Sequence, residues 1–592
     1  MREYTVEDLL EAVKAGRVDD MLAILDAGHV DVNAEGKIED DNGDEDSRTA
    51  LAYACELGRN EAMAFLLSRD NIQVKCGKNG TSSLMWASWN GDAEIVRMLL
   101  DHDVVEINLV EAALMVACKK GHAEIVRMLL DHDGVDINLV DEEYSKSALI
   151  LACKKGHAEI VRMLLDHNGV DINLVDKESG KSALMYASEN GHAEVVRMLL
   201  DHDGVDINVV DEESGKSALM YASLKGHAEI VRMLLDHDGV DINVVDEESG
   251  KSALMYASLK GHAEIVLMLL DHGGVDINLV EEEHGKSALI CACENGDAEV
   301  VRMLLDHGGV DINVGDKYGL SALMCACENG DAEVVRMLLD HGGVDINVGD
   351  KSGQSAVMYA SRRGRAKVVR MLLDHGGVDI NVVDKYGESA LMYASQRGRA
   401  KVVRMLLDHG GVDINLVEEE YGKSALILAC ENGHAKVVRM LLDHGGVDIH
   451  DGDKYGESAL MYASENGHAE VVRMLLDHGG VDINVVDEYV AYGKSALICA
   501  CDNGRAEVVR MLLDHGGVEI IVGDKSGKSA VMYPIEKGDA EVLRMVLDHG
   551  GVDINVVDKG GMTALSYAIR KDDLETVRLL SERNDIIIEM VA

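Results

Sequence analysis

Apolar and polar positions alternate along the chain with a helical period, and the same short phrase keeps returning. In "HAEVVRMLLDHDG" (His192–Gly204), Val195, Val196, Leu199 and Leu200 fall on one stripe of a helix. Just upstream, "SALMYASENG" (Ser182–Gly191) predicts a shorter helix, with Ser182 as its N-cap and Gly191 as its stop. The following "VDINVVDEESGK" is β-branched and then rich in turn formers, which predicts a projecting finger or hairpin. Glu194 and Arg197 stand three apart and are expected to pair along the outer face of their helix. His202 lies in the last turn, at the negative end of the helix dipole.

The arginine of "RMLL" marks the register. It recurs from Arg97 to Arg578, mostly every 34 or 35 residues, with Leu267 taking its place once. Fifteen marks and two weaker copies before them, from Met21 and Met63, make seventeen units that use up the chain. A helix pair this small cannot bury its apolar face alone and must stack on its neighbours.

The phrases "GKSALMYA" (Gly180–Ala187), "GHAEVVRMLL" (Gly191–Leu200) and "GVDIN" (Gly204–Asn208), in this order and at this period, resemble the ankyrin repeat over nearly the whole length. The resemblance implies an all-α solenoid. Antiparallel helix pairs with projecting β-hairpin or loop fingers would form a curved superhelix that binds other proteins on its concave face and finger tips. The implied organisation is an N-terminal capping unit (1–34), an acidic loop insertion (35–48), tandem units (49–559) and a C-terminal capping unit (560–592). The family usually writes Thr-Pro-Leu-His where Ser182–Met185 reads Ser-Ala-Leu-Met. Serine keeps the capping hydroxyl, alanine gives up the rigid proline, and methionine replaces a hydrogen-bonding side chain with an apolar one. Weaker individual units, held through many interfaces, are expected.

Four breaks interrupt the repetition. "AEGKIEDDNGDEDS" (Ala34–Ser47) enlarges the first finger and reads as a mobile acidic loop. At "INLVEAALM" (Ile107–Met115) a finger is deleted. At "VVDEYVAYGKS" (Val485–Ser495) a finger is lengthened and carries Tyr489 and Tyr492. Pro534, the single proline, enters a first helix and is expected to kink or shorten it and to weaken that unit.

Composition narrows the function. A net charge of −50 repels nucleic acid and anionic membranes and leaves proteins as partners, with basic surfaces matching most of the chain. No apolar run approaches the roughly 18 residues of a membrane span, and the charged N-terminus lacks a signal-peptide core. The 11 cysteines include three "CAC" pairs (Cys291/Cys293, Cys325/Cys327, Cys499/Cys501) and form no disulfide framework. A reducing compartment, cytoplasm or nucleus, and a monomeric state are expected.

Candidate chemistry is sparse. Helical residues two apart diverge by about 200°, so a CAC pair cannot chelate one ion and reads as packing. Of 24 histidines, 14 occupy the "DH" column and eight follow a glycine, seven of them from His122 to His468 at the start of a second helix, and these read as helix-end residues. "GGVDINVVD" lacks the nine-residue period of a calcium-binding repeat. No phosphate loop or nucleophile–base set is present, so no catalytic residue, metal or cofactor is expected.

The charge pattern is more informative. Asp350–Val383 carries six basic residues against three acidic, and Asp384–Val417 five against four. Asp211–Val245 carries three against seven. This basic island contains Arg362, Arg363, Arg365, Gln396, Arg397, Arg399 and Lys401. By the family resemblance, Arg362, Arg363, Gln396 and Arg397 fall at the end of the first helix, where partners are often contacted. An acidic partner segment would fit there, and a solvated face or internal charge balance is the alternative reading. Finger-tip Tyr318, Tyr386, Tyr455, Tyr489 and Tyr492 suit interface anchoring or finger-to-finger packing. Trp86 reads as core, and Trp89, at a contact position, as an anchor. The function these features favour is a non-catalytic protein-interaction scaffold. The alternative is a structural spacer or elastic tether with little selectivity, which the near identity of the units supports.

Overall fold

The computed structural model describes residues 3–39, 45–74, 82–101, 105–140, 145–487, 493–583 and 586. Among them are 34 helices and one two-stranded sheet. No helix among the described residues is long and apolar enough to cross a membrane. Two bodies divide the chain, 1–283 and 284–592. Each repeats one arrangement of short helix, tight turn, second helix and finger, with successive helix pairs packed side by side.

The copy Ala183–Leu200 explains the rest of the first body. Ser182 Oγ accepts the Met185 N–H at 3.3 Å, and Gly191, left-handed at φ 79°, ends the helix Ala183–Asn190. Ala183 to Ser188 are all buried, because this helix is sandwiched between its counterparts in both neighbouring units. Met185 fits the apolar site, and its Sδ accepts the Ser182 N–H at 3.4 Å, so the thioether closes the capping box. In the second helix, Ala193–Leu200, Val195, Val196 and Leu199 are buried and Leu200 is half-buried. Each fully buried side chain of this kind contributes about 1.5–3 kcal/mol, but only while the adjacent unit is in place.

Polar bonds tie one unit to the next. The asparagine of "VDIN" reaches forward: Asn173 Nδ2 donates to the Gly204 carbonyl at 2.8 Å, and its Oδ1 accepts the Asp206 N–H at 2.8 Å. The same clasp recurs at Asn208 in the first body and at Asn347 and Asn381 in the second. Finger backbones bond as well, Glu212 N–H to the Ser179 carbonyl at 3.1 Å. The fingers close as single antiparallel bridges, such as Val175 with Ser182 and Val383 with Ser389.

The expected pairing of Glu194 with Arg197 does not form. Glu194 meets Arg162 of the preceding unit at 3.8 Å, and Arg197 meets Glu229 of the following unit at 3.5 Å. The second helices lie side by side, so an outward arginine finds the next unit's glutamate beside it. The result is an outer ladder, continued by Arg127–Glu159 and Arg232–Glu264 and, in the second body, by Arg302–Glu333. These pairs are exposed, so each contributes at most about 1 kcal/mol.

The breaks resolve as follows. The acidic insertion forms a hairpin at its base, Glu35–Glu39 paired antiparallel with Glu45–Thr49, where an irregular loop is expected. Gly36 lies close against Val6 and Leu10 of the first helix, and this contact anchors the strand. The finger deletion becomes one long helix, Ile107–Lys120. Pro534 shortens its helix to Met532–Lys537, with no side-chain cap, whereas the equivalent Ala459–Asn466 spans eight residues. Trp86 is half-buried rather than core, and Arg48 lies over its ring at 5.6 Å.

Candidate functional site: a four-arginine cavity

The helices Ala356–Arg363 and Ala390–Gln396 belong to consecutive units of the second body, and their C-terminal ends lie side by side. Gly364, at φ +74°, stops the first of them. A Cβ there would fall 2.6 Å from Arg399 Cδ, so only glycine lets the arginine of the next unit cross this close. Arg362, Arg363, Arg397 and Arg399 line one open cavity of about 350 Å³.

Two of the four arginines share one internal counter-charge. Arg362 is 27% exposed, with Nη1 bonded to Gln354 Oε1 at 3.2 Å and its guanidinium 4.9 Å from the Tyr359 ring. Arg363 grips Glu328 of the preceding unit at 2.7 Å, and Arg362 stands 3.6 Å from the same carboxylate. Where a lysine stands eight residues ahead, this acid is paired within its own unit, as Lys181 pairs with Glu189 at 3.0 Å. Leu320 replaces that lysine ahead of Glu328, so Glu328 is free to turn to the arginines. Charge balance therefore covers one side of the island. Arg397 and Arg399 have no ion-pair partner among the described residues.

Arg365 and Arg399 also fasten units together. Arg365 Nε donates to the Glu328 carbonyl at 3.1 Å, and Arg399 Nε to the Arg362 carbonyl at 3.4 Å. They occupy the column that holds histidine in seven other units, and Arg505 uses it in the same way, bonding the Glu465 carbonyl at 2.9 Å. There His227 Nε2 lies 3.1 Å from the Glu189 carbonyl and His434 Nε2 3.0 Å from that of Gln396. The seven histidines after glycine from His122 to His468 are thus inter-unit fasteners rather than only helix-end residues. Gln396 contributes its carbonyl to this bond. Lys401 is exposed on Ala400–His409 and does not line the cavity.

Tyr318 and Tyr386 are 59% and 56% exposed at finger tips, and their carbonyls accept the next finger's N–H groups, Lys351 at 2.7 Å and Glu419 at 2.6 Å. Finger-to-finger bonding thus uses the backbone and leaves these rings outward. Tyr455 is partly covered by Tyr421, ring centroids 6.5 Å apart. Tyr421 is exposed at the same finger position, where its place before "GKS" was the available signal. Tyr489 and Tyr492 lie outside the described residues. Trp89 is exposed, with Lys120 Nζ 3.4 Å from its ring centroid.

A buried pair went unread in the sequence. Tyr186 OH donates to Asp176 Oδ2 at 2.9 Å, and Tyr221 does the same to Asp211 at 3.0 Å. Beside the cavity, Tyr359 bonds Asp350 at 2.8 Å and Tyr393 bonds Asp384 at 2.6 Å. Burial and the bond to Asp384 push the Tyr393 hydroxyl up, so it remains a protonated donor. The cysteines that replace these tyrosines are buried, and burial pushes the Cys325 thiol up to about 12.

The sequence model of the family described as "Ankyrin repeats (3 copies)" matches nearly the whole chain, in overlapping segments that include 9–111, 114–211, 204–281, 274–350, 342–418, 410–487 and 518–590. The chain belongs to the ankyrin-repeat family. Ankyrin repeats are generally protein–protein interaction modules, and the family is typically non-catalytic. Comparison with curated proteins gave no match. The four arginines thus lie in consecutive ankyrin units, within the matched segment 342–418.

Proposed function

We propose that this ankyrin array is a non-catalytic scaffold that binds partner proteins in the cytoplasm or nucleus, and that its four-arginine cavity takes an acidic segment of a partner. The observation that carries this reading is Arg397 and Arg399 lining the cavity without an internal counter-charge. Guanidinium groups bind carboxylates through two parallel hydrogen bonds. Tyr318, Tyr386 and Tyr455 flank as aromatic anchors, Tyr489 and Tyr492 extend that set, and Trp89 serves a separate contact. Basic partner surfaces suit the acidic remainder, and the array acts as a monomer. Arg363→Glu with Arg397→Glu in the full chain is expected to reduce capture of native partners by about tenfold or more. Unchanged capture would refute this site. Arg399 is left in place because its side chain bonds the preceding unit; Arg363 also pairs with Glu328 of the preceding unit, so the double variant must melt with the parent for its loss of capture to count.

A spacer role has one observation in its favour, the repeated asparagine clasp, which stiffens the array without regard to surface variation. Under that reading the double variant captures partners as the parent does.

A further inference from the structure

The outer ladder changes sign at one place. In the three rungs that join the second helices Ala332–His341, Ala366–His375, Ala400–His409 and Ala435–His444, lysine on the later helix replaces the acid. Lys367, Lys401 and Lys436 stand where Glu194 and Glu229 stand in the first body. Arg336 therefore faces Lys367, Arg370 faces Lys401, and Arg404 faces Lys436. All six are exposed, and none has a side-chain hydrogen bond or ion pair among the described residues. Further along, Arg439, Arg473 and Arg510 keep glutamates Glu470, Glu507 and Glu541 as the next rung without close contact, so the signal is the reversal of charge.

Adjacent like charges repel, and the scaffold gains nothing from them. At seven other rungs, from Arg97–Glu124 to Arg302–Glu333 and at Arg544–Glu575, an ion pair stands there, in a chain whose net charge is −50. We infer that these outer faces form a basic docking stripe for an extended acidic segment of a partner protein. Stacked helices lie about 8–10 Å apart, and an extended chain in the polyproline II conformation advances about 3.1 Å per residue and returns each third side chain to the same face. Every third residue of such a segment then falls over the next helix, where one carboxylate can lie between an arginine and a lysine. Asp340, Asp374, Asp408 and Asp443, one turn further along, edge the stripe with negative charge and confine the ligand to a narrow track. A duplex nucleic acid would overlap that edge. The stripe is distinct from the four-arginine cavity, which none of these six side chains lines, and it stands whether or not that cavity binds.

The test uses the full chain and a fluorescein-labelled peptide of about twelve residues with glutamate at every third position, read by anisotropy. Lys367→Glu/Lys401→Glu/Lys436→Glu recreates the alternating ladder, so the triple variant is expected to melt no lower than the parent. Its affinity is expected to fall about tenfold or more. Lys177→Glu/Lys225→Glu/Lys260→Glu makes the same charge change in the first body and is expected to leave affinity within about threefold. Equal losses in the two triple variants, or no loss in the first, overturn the inference. So does equal binding of a thymidine oligonucleotide of the same charge. If Arg363→Glu/Arg397→Glu alone abolishes peptide binding, the peptide occupies the cavity; the stripe is then rejected while the cavity reading survives.

Discussion

Tyr186 and Asp176 carry the residue-scale logic. The finger turns back on its own first helix, so a carboxylate that would be costly to bury is satisfied by the tyrosine hydroxyl and by the Ser179 and Glu178 N–H groups. Tyr186→Phe removes one donor and leaves the carboxylate buried. A loss of about 1–2 kcal/mol is expected in denaturant unfolding of that region, and wild-type stability would contradict the pairing. Burial acts to raise the Asp176 and Asp211 carboxyls, but hydrogen bonds from Ser179 and Ser214 outweigh it and hold both below the usual carboxylate range. Their stabilisation is complete above the unfolded value of about 3.9 and is lost as pH falls below it through the folded values. Circular dichroism should accordingly stay flat down to about pH 4 and fall beyond it, with Asp211→Asn blunting the fall; an acid transition unchanged in that variant would count against the assignment. None of this is legible as periodicity, because the partners stand ten residues apart across a reversing loop. A trace lies in the copies themselves. Where the tyrosine gives way to Cys291 or Leu428, the buried aspartate becomes Glu281 or Glu418, whereas Cys325 and Cys499 keep Asp316 and Asp487.

At the scale of the element, the helices were readable because each obeys local rules: a serine cap, an apolar stripe, a glycine stop. What the local rules misassigned was direction. Glu194 and Arg197 lie on one helix with the right spacing, yet each meets the adjacent unit, since side-by-side packing supplies a closer partner than the next turn. The asparagine of "VDIN" likewise looks like a turn residue and acts as a clasp. His450 takes that column once and makes no clasp to the next finger. His450→Asn is therefore expected to add about 1 kcal/mol, seen as slower hydrogen exchange over the fingers on both sides; no change in exchange would show that the clasp has no energetic weight. Pro534 removes an internal helix bond and delays the helix start. Val531–Lys537 is expected to exchange faster than Leu460–Glu465, and equal protection of the two would show that the proline is harmless.

For the whole molecule, stability is a sum over units and their interfaces. Removing one full period, Asp384–Val417, should leave the remaining units folded, with helical content reduced by about one unit's share and the cavity gone. Collapse of the whole circular dichroism signal would mean that the array is not modular. The family was legible because seventeen copies repeat one grammar. The site was legible only as a change of sign, from "GHAE" to "GRAK" with "RR" upstream. Sequence could not reveal that Glu328, freed by Leu320, reaches across a unit boundary to pair with both Arg362 and Arg363. Nor could it reveal that Arg365 and Arg399 double as fasteners, since both facts depend on neighbours more than thirty residues away. The most direct measurement is cross-link mapping of native partners captured by the full chain. Links clustered between Arg362 and Arg404 are the predicted result; links confined to the chain ends, or none at all, would contradict selective recognition and leave a spacer.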